Sequence, residues 1–466
     1  MIKTIGNFFD GFKISGKLSM ICASFALPIA VLLYLMIAGI NYNIRFAALE
    51  YQGGVYQRPL ERLLQLIPDS QFLASRALDE KTPKLEELVL ERAAAIDKSF
   101  ADLEEADRRY GADLQFDDEG LYKRKRLHYR VATVKGEWEN LKKSLADGGL
   151  SVKDSDEKHW HLNSDIRTMI THMGDTSFLI LDPDLDTYYI MSATLLSLPQ
   201  TQERIAHIRD EVWHMLKRGN LSQDQRIKVA TYAALLKTSD FNATVNYANT
   251  ALVEDPNFFG VSISLQSNIP PALKGYSDKT QPLLDALNRI ALAPGGIGAE
   301  EFAVKASTAR DAAFALWDTF AAEEDVLLNI RMDSFRATRR NYLMYTLIAV
   351  LFSLSIAFMI ARNIIEPLEQ CARALQSRAD MDFSRRLEIE RDDEFGRMGG
   401  GINKVSDAVR SVIHDILRIS KSLTESAISF QTHGDGNPAG KTTVDCIKSV
   451  LRDAADLQKL GERFKL

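Results

Sequence analysis

Cysteine is nearly absent from this chain of 466 residues: Cys22, Cys371 and Cys446 are its three copies, and residues 42–341 hold none. That excludes a disulfide-stapled scaffold and a cysteine zinc site. A basic surplus is missing too. Lys and Arg number 57 against 63 Asp and Glu, a net charge of −6, so no nucleic-acid partner is expected. Residues 42–341 show no stretch alternating apolar and polar residues between hairpin turns, as a sheet would need. The chain carries no HExxH, no GxSxG and no P-loop. No catalytic residue is therefore assigned, and no enzyme activity, cofactor or metal is expected.

What is present is two apolar blocks. The first runs from about Leu18 to Ile40 and the second from about Tyr342 to Ala361, neither with a charged residue. About 20 helical residues cross a ~30 Å hydrocarbon core, so each is long enough to span a membrane. The first exceeds a signal-peptide core and ends in Gly39-Ile40-Asn41-Tyr42, a poor cleavage site. It reads as an uncleaved anchor that tolerates Pro28. Lys3, Lys13 and Lys17 put the N-terminus inside. Arg331, Arg336, Arg339 and Arg340 precede the second block on the outside, against that bias, but long loops translocate largely regardless of charge. The expected division is a cytoplasmic 1–17, a span at 18–41, an outside domain at 42–341, a span at 342–361, and inside segments at 362–414 and 415–466.

The outside domain reads as helix throughout. The series Phe302, Ala306, Ala309, Ala313, Leu316, Phe320, Leu327, Ile330 steps mostly by four and three, a coiled-coil-like seam. That helix is expected to continue unbroken through the second span. Pro68-Asp69-Ser70 and Thr82-Pro83 are expected to interrupt the first long helix. Turns are expected at Gly111, Asp117–Gly120, Asp147–Gly149 and Gly219-Asn220, with Ser222 as a cap. Asp255-Pro256 through Pro270-Pro271 is expected to be the longest irregular stretch, and Pro294-Gly295-Gly296 precedes the last helix. This gives about eight helices, which suits two four-helix bundles. The fold class is all-α.

The segment from Ala361 to Ile413 resembles a HAMP domain, the parallel four-helix relay beneath bacterial receptors. The resemblance rests on Pro367-Leu368 after the second span, Asp382-Phe383 in the connector, Asp393-Glu394-Phe395-Gly396 opening the second helix, and Asn403 within it. It implies a relay role for Pro367, Glu394, Gly396 and Asn403. Pro367 is expected near a helix start, where its missing N–H costs least. Asp392, Asp393 and Glu394 suit a helix N-terminus. The stripes Ile364, Leu368, Leu375 and Phe395, Met398, Ile402, Val405, Val409 call for a homodimer to bury them. Gly399-Gly400-Gly401 should soften the second helix by about 0.8–1 kcal/mol per glycine, as a tolerated loss or a hinge.

The architecture resembles methyl-accepting chemotaxis proteins, which implies a bacterial inner membrane and a periplasmic outside domain. Some 50 residues follow Val412, without the long signalling hairpin of that family. His414 lacks the Glu and Arg-Pro of a kinase phosphoacceptor helix, and Thr432–Pro438 reads as a loop. The alternatives are the sensory part of a histidine kinase or diguanylate cyclase, and a membrane-anchored helical scaffold.

Two stretches, Gly54–Leu60 with Leu63-Leu64, and Leu181–Met191 with Leu198-Pro199, resemble motifs of HAMP-linked sensor ectodomains. In the second, Asp182, Asp184 and Asp186 alternate, but a calcium loop would need Gly at Thr187 and Glu at Ala193. Helix initiation is the expected role, with Asp182 as cap and Pro183 in first place. Arg58 and Arg62, one turn apart, with Tyr56, Tyr188 and Tyr189, could hold a carboxylate ligand. The competing reading is a solvated charged face. Glu323 lies on the seam and could meet an Arg or sit at the bundle edge. His159, His161, His172, His207 and His214 raise a metal only as a loop pair.

Overall fold

The computed structural model describes residues 11–292, 296–433 and 441–466. Lys3, Pro294-Gly295 and the 434–438 part of the expected loop lie outside them. Among the described residues the chain is all-α, without a strand. Contacts divide it into two units, Leu35–Tyr342 and the residues flanking it on both sides.

In the Leu35–Tyr342 unit, α1 (Ile14–Glu80) contributes its C-terminal part, followed by α2 (Pro83–Tyr110), a short α3 (Asp118–Lys123), α4 (Val131–Ala146) and α5 (Val152–Thr176). Next, α6 (Leu185–Met191) runs through a π-helical turn, Ser192–Ser197, into α7 (Leu198–Lys217). Likewise α8 (Gln223–Leu235) passes through a π turn, Leu236–Phe241, into α9 (Asn242–Glu254). Then come α10 (Ile263–Leu292) and α11 (Ala299–Ala379). Taking each π-joined pair as one rod gives eight long rods, in agreement with the periodicity.

The rods form two bundles. Leu64, Ile67, Ile96, Phe100, Trp138, Ile166 and Met169 make one core from α1, α2, α4 and α5. The other four rods share a core in two layers, Ile205, Val229, Leu283, Phe302 and Leu198, Ala248, Leu265, Leu316, Phe320. A fully buried Leu or Phe contributes about 1.5–3 kcal/mol over an exposed one. Seven of the eight seam positions on α11 are buried, Ile330 being the partly exposed one.

Several boundaries follow local chemistry. The Asp117 carboxylate accepts from the Gly120 N–H at 2.8 Å. Ser151 caps α5, and Ser222 with Gln225 forms a full capping box on α8. Four expectations fail. Pro68 does not interrupt α1, which runs on to Glu80. Pro270 and Pro271 lie inside α10, so the irregular stretch is confined to residues 258–262. Asp184, not Asp182, takes the cap position of α6, and Pro183 stays outside the helix. Pro367 is not at a helix start but deep within α11.

At Pro68 and Pro367 an arginine replaces what the proline removes. A helical proline has no N–H for the carbonyl four residues earlier. The Leu64 carbonyl, orphaned by Pro68, accepts instead from Arg310 Nη2 at 2.9 Å. The Asn363 carbonyl, orphaned by Pro367, accepts from Arg391 Nη1 at 3.2 Å.

In the other unit, the end of α11 is followed by a connector and α12 (Glu394–His433), and α13 (Lys441–Gly461) packs back on α12. Gly461 lies against Leu417 so closely that a Cβ would come within 2.5 Å of it. The backbone of Lys465 pairs with Met381 and Phe383 of the connector. α1 and α11 each contain an apolar stretch long enough to cross a membrane, and none of either is buried.

Candidate functional site

Polar residues recur every seven positions on the buried side of α11: Arg310, Trp317, Glu324 and Arg331 are all nearly fully buried. Each meets α1, or a π-turn residue that α1 also holds. Arg310 caps the Leu64 carbonyl. Trp317 Nε1 and Gln57 Nε2 both donate to the Thr194 carbonyl, at 2.8 and 2.9 Å. Thr194 lies in the Ser192–Ser197 turn, and its hydroxyl donates to Glu324 at 3.2 Å. Arg331 Nη1 donates to Glu50 at 2.9 Å. The result is an antiparallel ladder between the two helices that also carry the apolar stretches.

Its last rung is the most charged. Arg331 also pairs with Asp182 at 2.7 Å and Asp184 at 2.6 Å, and it donates to the Thr187 hydroxyl. One guanidinium thus faces three carboxylates, with Glu324 close enough to act on Glu50. Burial first, and Asp182 next, push Glu50 well above the ordinary carboxylate range. Burial likewise raises Glu324 to about 8, so the cluster retains protons at neutral pH.

The opposite end is held by Asp69, which pairs with Arg209 and Arg310, both at 2.8 Å. Burial works against its charge, but the two guanidinium groups outweigh that and hold its carboxyl below the usual value. Arg209 also donates to the Pro68 carbonyl at 2.9 Å and lies 4.4 Å from the Phe72 ring centre. Aspartate and both arginines join α1, α7 and α11, and so tie the two bundles together.

The residues expected to hold a ligand are engaged in the same framework. Arg58 pairs with Asp325 of α11 at 2.6 Å. Arg62, more exposed, donates to Gln65. The buried Tyr56 hydroxyl donates to Asp107 at 2.9 Å, with its ring stacked on Phe116. Tyr188 and Tyr189 meet edge to face, and Tyr189 lies 5.9 Å from Tyr247. Tyr56 belongs to the first bundle's core, while Tyr189 packs on the second's. Glu323 is buried, where it accepts from Ser264 and Asn268, and among the described residues it pairs with no arginine. The two ectodomain motifs thus clamp α11, one through Arg58 on Asp325, the other through Asp182 and Asp184 on Arg331. Periodicity missed Arg310, Glu324 and Arg331 because it followed apolar residues alone.

In the relay segment, Asn403 clasps the connector from both sides of one residue. Its Oδ1 accepts from the Leu387 N–H at 2.9 Å and its Nδ2 donates to the Leu387 carbonyl at 2.8 Å. Asp393 caps α12 by accepting from Phe395 and Gly396 N–H groups. Backbone donation from Gly396 helps hold its carboxyl below the usual range. A Cβ on Gly396 would lie 1.7 Å from the Arg391 carbonyl oxygen, so only glycine fits. Glu394 opens the helix and pairs with Arg397. Arg378 reaches from α11 to Ser406 of α12 at 3.0 Å. α12 runs unbroken through Gly399–Gly401, and a Cβ on Gly399 would come within 3.3 Å of Ile389.

Residues 359–411 match the HAMP domain family. This establishes the HAMP segment, and with it the coarse organisation of a signalling receptor. It does not choose between chemoreceptor, kinase and cyclase sensors. No curated protein matches the chain. A solved structure of the NasR transcription antiterminator is similar at 13% identity, covering 93% of this chain and 99% of its own, with a TM-score of 0.44. At that level neither fold nor function carries over.

Proposed function

We propose that this chain is a homodimeric transmembrane receptor of chemoreceptor type, without catalytic activity of its own, set in a bacterial inner membrane with its bundles in the periplasm. The observation that carries the reading is the composition of α11. One helix holds the eighth bundle rod, an apolar stretch and the start of the HAMP segment. A small molecule or partner protein that favours one packing of the bundles would pivot α11 about the ladder, and with it the first HAMP helix. Such a bias needs only a differential affinity for two packings a few kcal/mol apart. The dimer is supported by the relay helices, where Leu375, Val405 and Val412 are exposed in the single chain.

The test is a cysteine scan of residues 342–361 in a full-length chain whose own cysteines are replaced by serine. A receptor dimer gives crosslinks at helical intervals, and their pattern changes when a stabilising ligand from a thermal-shift screen is added. Absence of crosslinks at every position overturns the dimer. A pattern that no stabilising compound alters overturns the signalling role.

A further inference from the structure

We propose that His128, Glu137, His161 and Asp165 form a binding site for one divalent transition-metal ion of the zinc class. Spacing along the chain conceals the set: His161 and Asp165 lie one turn apart on α5, Glu137 comes from α4, and His128 from the 3₁₀ turn Leu127–Tyr129 before it. Of the five histidines considered from sequence, only His161 belongs to it.

One ligand atom from each of the four side chains lies within 4.8 Å of all the others. His128 Nε2 is 3.3 Å from Glu137 Oε1 and 3.2 Å from Asp165 Oδ2. His161 Nε2 is 3.8 Å from Glu137 Oε2 and 3.7 Å from Asp165 Oδ2. Four ligands about 2.0–2.1 Å from a tetrahedral ion are about 3.3 Å apart, so small side-chain movements close the set. Two imidazoles with two carboxylates suit zinc and its neighbours better than calcium or magnesium, which prefer all-oxygen sites.

Charge gives an independent reason. Among the described residues, the ion pairs of Glu137 and Asp165 are to these histidines and to no lysine or arginine. The Asp165 side chain is 4% exposed, and Glu137 Oε2 is buried without a hydrogen-bond partner. A divalent cation neutralises both. Glu137 and His161 also border a cavity of about 520 Å³, which gives an ion a way in.

The site rests on these side chains and not on the receptor reading, so the two fail separately. The full-length protein, purified in detergent and stripped with chelator, is titrated with Zn²⁺ by calorimetry. One ion per chain is expected, and Co²⁺ should give the strong visible absorption of four-coordination. His161→Ala and His128→Ala should each weaken Zn²⁺ binding by about 100-fold or more, beyond the loss typical of outer-shell partners. His207→Gln should leave it unchanged. Glu137→Gln and Asp165→Asn carry the test should an alanine variant lose its helical circular dichroism. Absence of stoichiometric binding, or binding that survives all four ligand substitutions, overturns the proposal.

Discussion

The Arg331 guanidinium and the Glu50 carboxyl group meet at 2.9 Å, both almost wholly out of water. Arg331 lies eleven residues before Tyr342 and Glu50 ten after Ile40, so the contact stands about 15 Å along each helix from its apolar block. Of the four arginines that precede the second apolar block, Arg331 is thus neutralised inside the bundle, while Arg336 pairs with Asp333 at the surface.

The two partners should respond unequally to replacement. Glu50 favours its protonated form, so Glu50→Gln should cost less than about 1 kcal/mol at neutral pH, near the net value of a single hydrogen bond. Arg331→Leu strands Asp182 and Asp184 and should cost about 3–5 kcal/mol. Thermal melts of the full chain in detergent, followed by circular dichroism, compare them.

Stability should fall as pH rises. Burial places Glu61 and Glu324 at about 8 in the folded chain, against an ordinary value near 4.5. Between those values the folded state holds protons that the unfolded state has lost. Their contribution is complete below about pH 4.5 and declines by roughly 1 kcal/mol per pH unit per group until about pH 8. Melting temperatures across that window should slope downward, and Glu324→Gln should flatten the slope.

Pro68 and Arg310 should show compensation. Arg310→Leu leaves the Leu64 carbonyl without a donor and removes a partner of Asp69, at about 3–5 kcal/mol. Adding Pro68→Ala restores an N–H at position 68 and should recover about 1–3 kcal/mol, the penalty of one unsatisfied buried group. A double-mutant cycle by chemical denaturation measures the coupling; strict additivity would contradict the account.

In the relay segment, Asn403→Ala removes both hydrogen bonds to Leu387 at a cost of about 1–3 kcal/mol. Hydrogen exchange should show the Leu387 amide losing protection. Gly396→Ala should displace the start of α12, because its Cβ cannot share space with the Arg391 carbonyl.

The all-helical class, the eight rods and the HAMP segment were legible because each rests on local pattern: apolar spacing, caps, and a short ordered motif. The prolines misled. Pro68 and Pro367 read as breaks or starts because the arginines that cap their orphaned carbonyls are distant in sequence. The metal-ligand set was hidden for the same reason, since its members come from three elements. Arg310, Glu324 and Arg331 were within reach, at intervals of seven beside Trp317, once polar residues are followed as closely as apolar ones.

The repeat of seven on α11 governs how that helix can travel. Sliding by the rise of one residue, about 1.5 Å, is already enough to part donor from acceptor at every rung together. The next seat lies about 10 Å away, farther than packed rods can slip. The helix is thus a ratchet with a single tooth: it can pivot about its seat, but it cannot creep.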